Sequence, residues 1–171
     1  MRKKSNSVSF INRFEFKNLL MPDVGNIQSN HSLISISDTI YEQKEIEQYL
    51  AFAGIPPEKF IALNFPDDNV GVDKYDAKNL VNFIKAQGDQ QDFIIHCYMG
   101  ISRSGAIAKF INEYYDMGDH VLEYYDMYNR QVYNNLNAVI GKDIASYYAE
   151  LEKQEISFDL GSDDHTTFKI L

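Results

Sequence analysis

Apolar residues recur along the chain in two alternating rhythms. Residues 8–16, 33–36, 60–63 and 93–95 are short runs rich in β-branched and aromatic side chains, the composition of strands. Between and after them the spacing changes to i, i+3, i+4, i+7, the signature of one buried helix face. Ile46, Tyr49, Leu50 and Ala53 predict a helix over residues 45–53, stopped by Gly54 and Pro56-Pro57. Ala77, Leu80, Val81 and Ile84 predict another over residues 73–87, ending near Gly88. Ile107, Phe110, Ile111 and Tyr114 predict a third after Arg103. Residues 21–26 carry turn chemistry. The continuous apolar run Phe93, Ile94, Ile95 suits a central strand covered on both faces. Strands that alternate with helices pair in parallel. The expected fold is therefore α/β, a central and mostly parallel sheet flanked by helices.

The C-terminal half reads as helical. Val121, Tyr124, Tyr125, Tyr128 and Val132 form one stripe, and Ile144, Tyr147, Tyr148 and Leu151 another. Tyrosines at this spacing read as half-buried packing residues. Residues 154–171 are polar without a stable period and read as a loose tail or an edge strand, so one domain is expected over residues 1–153.

Bulk properties narrow the function. With 171 residues, 44% of them hydrophobic, one full core can form. Sixteen basic and twenty-five acidic residues leave a net charge of −9, which argues against nucleic acid or an anionic membrane as the main partner. The basic start Met1-Arg2-Lys3-Lys4 is followed by no apolar stretch, and no run approaches the ~18 apolar residues of a membrane span. A lone cysteine rules out an internal disulfide and fits a reducing compartment. Cytoplasmic localisation is expected, in the host cytoplasm if the source is a virus, with the oligomeric state open.

That cysteine sits in the stretch around which the chain is organised, Ile94-Ile95-His96-Cys97-Tyr98-Met99-Gly100-Ile101-Ser102-Arg103-Ser104-Gly105. Strand, tight loop and helix follow one another, so loop amides and a helix N-terminus converge where an anion can sit. Gly100 permits a left-handed or close-approach backbone. Arg103, six residues after Cys97, can grip two phosphate oxygens with its planar fork. A thiol there is drawn below its ordinary pKa of ~8.5 and becomes a nucleophile. A Walker-type loop is excluded because its Gly-Lys-Ser/Thr ending is missing. The binding set is Tyr98, Met99, Gly100, Ile101, Ser102 and Arg103.

His96-Cys97, five intervening residues and Arg103-Ser104 resemble the signature of the cysteine-dependent protein tyrosine phosphatases. The spelling HCYMGISRSG is most similar to the dual-specificity branch. The resemblance implies a phosphatase-like fold, Cys97 as nucleophile, Arg103 as phosphate ligand and Ser104 as the hydroxyl that stabilises the departing thiolate. His96 matches the histidine that tunes the cysteine. It further implies an aspartate acid on a loop upstream, two residues after an aromatic.

Asn64-Phe65-Pro66-Asp67-Asp68-Asn69-Val70-Gly71 is such a turn-forming segment, thirty residues before Cys97. The aromatic spacing implied by the resemblance picks Asp67, with Asp68 as the alternative acid; both also read as turn caps. No cofactor and no metal are expected, since His31, His96, His120 and His165 show no ligand spacing. The expected partner is a phosphorylated protein or peptide. Competing readings are a phosphate-binding module with weak turnover, a phosphatase of a non-protein ester, and a sulfurtransferase, which usually lacks the Ser-Arg-Ser ending.

Overall fold

The computed structural model describes residues 6–23, 26–142, 149 and 153. Four strands, β1 (Val8–Asn12), β2 (His31–Ser37), β3 (Phe60–Asn64) and β4 (Asp92–Cys97), form one sheet in the order β1-β4-β2-β3. Every pair is parallel, with Ile34 opposite Ile95 and Ser35 opposite His96 at the centre. Helices α1 (Arg13–Leu19), α2 (Ile40–Phe52), α3 (Lys74–Gln87), α4 (Arg103–Tyr114), α5 (His120–Glu123) and α6 (Arg130–Val139) cover it.

Strand alternation divides the core in two. Leu33 and Ile94 pack with Phe16, Ile46 and Leu50 of α1 and α2 on one face. Ile34, Ile36, Phe93, Ile95 and Cys97 pack with Leu80, Ile84, Ile107, Phe110 and Leu136 of α3, α4 and α6 on the other. Strand β4 lies between β1 and β2 and is buried on both sides, so Cys97 at its end is held by the most constrained part of the sheet.

Three expectations need correction. Residues 8–16 are not one strand: β1 ends at Asn12, which starts α1 through a capping box. The Asn12 side chain accepts from Glu15 N–H at 2.9 Å and the Glu15 carboxylate accepts from Asn12 N–H at 3.1 Å. Helix α2 begins at Ile40, five residues before the expected start at residue 45, because Thr39 caps it. The stripe from Val121 to Val132 is two helices rather than one. Asp119 caps α5 and Asn129 caps α6, and two N-caps so close force two separate starts. Tyr124 is consequently exposed instead of half-buried, while Tyr125 and Tyr128 are partly covered. The stripe Ile144, Tyr147, Tyr148, Leu151 and the tail 154–171 lie outside the described residues.

Candidate active site

The C-terminal ends of three neighbouring strands converge. Cys97 ends β4, Asp38 follows β2 and Phe65 follows β3. This is the edge of a parallel sheet where α/β proteins bind ligands, because the connecting loops open there.

Cys97 is buried, with Sγ 3.2 Å from Ser104 Oγ. Burial alone would raise the thiol pKa. Hydrogen bonds from the Ser104 hydroxyl and from the backbone N–H groups of Ser104, Ile101 and Gly100 outweigh it and hold the thiol below its ordinary value. The loop therefore stabilises negative charge at the sulfur.

Other amides of the loop are oriented by donors outside it. A trans peptide is planar, so its C=O and N–H point in opposite directions. Arg13 N–H donates to Tyr98 C=O at 3.2 Å, Tyr125 Oη–H to Ile101 C=O at 2.8 Å, and Asn129 N–H to Ser102 C=O at 3.0 Å. Drawing those three carbonyls outward aims the N–H groups of Met99, Ser102 and Arg103 the other way. Gly100 has φ +67°, and a Cβ there would strike the backbone of Ile11 and Asn12, so only glycine lets the loop pass this close to β1. Tyr125 also packs against Gly105, where a Cβ would meet its ring at 2.5 Å.

Arg103 opens α4 and is 3% exposed. One Nη donates to Phe65 C=O at 2.6 Å and the other pairs with Asp38 Oδ1 at 2.7 Å. Its buried Nε–H has no hydrogen-bond partner among the described residues. The guanidinium is thus fixed in place with a donor in reserve, an arrangement suited to an incoming oxyanion.

His96 points to the opposite face of the sheet. Its Nε2 lies 2.6 Å from Ser35 Oγ, its Nδ1 3.4 Å from the Cys97 carbonyl, and its ring packs on Phe16 with centroids 4.2 Å apart. Burial lowers its pKa to about 4, opposed by the Cys97 carbonyl and assisted by the charges of Arg13, Arg103 and Lys17. At neutral pH it is an uncharged prop under the nucleophile's own peptide.

The two candidate acids, inseparable by sequence, differ in geometry. Asp67 Oδ1 accepts from Ser102 Oγ at 2.9 Å and from Asn129 Nδ2 at 2.7 Å, and so reaches the rim of the loop. Asp68 Oδ1 accepts from Val70 and Gly71 N–H at 2.9 and 3.1 Å and caps its own turn. Asn129 Nδ2 also donates to Asp68 C=O at 3.0 Å, which ties the acidic loop to the start of α6. A cleft of about 620 Å³ opens at this end of the loop, between Asp67, Ser102 and Asn129.

Asp38, Tyr125 and Asn129 also belong to the site, though the sequence assigns none of them a role there and places Tyr125 only in a packing stripe. Asn129 carried a readable signal as a helix-start residue, Asp38 a weaker one as a polar residue just after a strand, and Tyr125 none apart from its neighbours. Among the described residues no group of three or more His, Cys, Asp or Glu side chains is placed to hold a metal ion, and no helix is long and apolar enough to cross a membrane. Comparison with protein-family models, with curated proteins and with solved structures returned no match.

Proposed function

We propose that this chain is a phosphoprotein phosphatase that hydrolyses phosphotyrosine, with phosphoserine and phosphothreonine as further substrates, through a cysteinyl-phosphate intermediate. One observation carries the reading: Cys97 Sγ is ringed by the Ser104 hydroxyl and loop amides, with the Arg103 guanidinium fixed on the same loop.

In the first step the Cys97 thiolate attacks phosphorus in line and the P–O bond to the leaving group breaks. Arg103 and the loop amides take up the charge of the non-bridging oxygens. Asp67, protonated at the start, gives its proton to the departing phenoxide or alkoxide, a contribution of roughly 10²- to 10⁴-fold. In the second step the Asp67 carboxylate takes a proton from water as its oxygen attacks phosphorus. The S–P bond breaks and the thiolate leaves, stabilised by the Ser104 hydroxyl. Inorganic phosphate is released and the enzyme returns to its initial state.

Support for a protein substrate comes from charge. Of the loop residues 98–103 only Arg103 is cationic, and the chain carries −9, so polyanionic inositol phosphates, RNA ends and membranes are poorly matched. A nucleophilic lone cysteine suits a reducing cytoplasm.

The test is phosphate release from an aryl phosphate and a phosphotyrosine peptide, with chelator present. Wild type, Cys97→Ser, Asp67→Ala and Asp68→Ala are compared. Chelator-resistant turnover that Cys97→Ser abolishes and Asp67→Ala reduces more than Asp68→Ala is the expected result. Binding of the phosphopeptide without turnover of any ester tried, including a phosphoinositide and an RNA 5′-phosphate, would replace the enzyme with a phosphate-binding module.

A further inference from the structure

At the other end of the loop from Asp67 lies a second concavity, of about 360 Å³, lined by Asn12, Arg13, Phe14, Lys17, Tyr98 and Met99. More than twice the ~150 Å³ that accepts a benzene ring is available there. Three of its walls are large apolar side chains left in solvent: Phe14 is 73% exposed, Tyr98 54% and Met99 64%. Grouped apolar exposure of this kind marks a contact surface more often than isolated surface residues do.

The two cations in the groove are already matched. Arg13 pairs with Glu42 at 2.5 Å and with Glu45, and Lys17 pairs with Glu45 at 2.9 Å. Two positive charges against two carboxylates leave no net charge for an acidic side chain, a second phosphate or an anionic lipid headgroup, although the buried Arg13 Nε–H has no hydrogen-bond partner among the described residues. What the groove offers is aromatic and thioether surface. Methionine adapts to more than one apolar shape.

The groove borders the phosphate loop, because two of its lining residues, Tyr98 and Met99, directly follow Cys97. A peptide anchored by its phosphate at Cys97, advancing about 3.3 Å per residue when extended, carries its next few residues across them. We infer that this groove is a specificity site for a large apolar or aromatic side chain within about three residues of the phosphorylated one. The inference rests on the phosphatase reading above and adds the sequence context of its substrate.

Its test uses the full chain and three phosphotyrosine peptides, identical except for phenylalanine, glycine or glutamate at the two positions on each side. The expected kcat/KM for the phenylalanine peptide is about tenfold above the other two, the size that partial burial of one aromatic side chain gives. Phe14→Ser is expected to erase that preference and Phe14→Leu to keep most of it. Equal turnover of the three peptides, a preference for glutamate, a preference that survives Phe14→Ser, or faster turnover of phosphoinositide vesicles than of any peptide would each overturn the groove while leaving a phosphatase in place. No turnover of any ester, together with no peptide binding by Cys97→Ser, would overturn both readings.

Discussion

Asn129 donates its side-chain amide to Asp67 Oδ1 at 2.7 Å, so the residue that caps α6 also holds the carboxylate proposed as general acid. The two are sixty-two positions apart in sequence. Asn129→Asp separates these duties. Aspartate still accepts from Val132 N–H as an N-cap, whereas its carboxylate can no longer donate to Asp67 and repels it. The thermal midpoint is expected to stay within a few degrees. Turnover of a phosphotyrosine peptide should fall roughly tenfold or more, while an aryl phosphate whose phenol leaves without a proton loses much less. Equal losses on both substrates would remove Asn129 from acid positioning.

Local and distant parts of the site were unequally legible. Cys97, Gly100, Arg103 and Ser104 occupy eight consecutive residues, so the cradle's geometry is written in one stretch of sequence. Arg103 meets Asp38 only because β2 and β4 are neighbours in the sheet, and no local pattern announces that pairing. The early strand is shorter than its alternation predicts for a similar reason. Phe10, Phe14 and Phe16 fit strand alternation, but Asn12 and Glu15 turn the chain into a helix in which Phe16 is buried and Phe14 is not. The parallel α/β sheet itself was readable because its strands and helices alternate with different periods.

Asp38 presents two opposing effects. Its carboxylate fixes Arg103, yet it also repels an arriving phosphate. A hydrogen bond between charged groups is worth about 1.5–3 kcal/mol. Repulsion at a site as solvent-accessible as Asp38 is about 1 kcal/mol, since water screens it. Orientation should win. Asp38→Asn is expected to lower kcat/KM about fivefold, mainly through KM, in steady-state kinetics on an aryl phosphate. A faster variant would show that the carboxylate's repulsion dominates.

Tyr125→Phe isolates one of the outward pulls on the loop. The ring stays against Gly105 and edge-on to Phe10 at 5.0 Å, and only the hydroxyl on Ile101 C=O is lost. Net stability should fall by about 1 kcal/mol, the usual cost of one hydrogen bond. With the Ile101–Ser102 peptide freed, phosphate and vanadate should inhibit several-fold more weakly, as read from competitive inhibition constants. Unchanged inhibition constants would mean that the remaining contacts orient this peptide without Tyr125.

His96 and Cys97, adjacent in sequence, both make stability depend on pH. Burial keeps the folded His96 pKa near 4, against about 6.5 unfolded. Above pH 6.5 the ring is neutral in both states. Between 6.5 and about 4 the unfolded chain binds a proton that the folded chain refuses, so stability falls on acidification, by about 3 kcal/mol in all. Cys97 acts with the same slope in a window whose upper edge lies higher. Its folded pKa is lowered, so the unfolded state holds the extra proton until the ordinary thiol value is passed. The resulting stabilisation is complete above ~8.5 and lost as pH falls through the folded value. Urea denaturation of wild type and His96→Asn at pH 7.0 and 5.0 isolates the histidine. Asparagine lowers stability at pH 7.0, because the packing on Phe16 is lost, but should remove most of the additional loss at pH 5.0. If both proteins lose the same amount between the two pH values, another group carries the acid sensitivity.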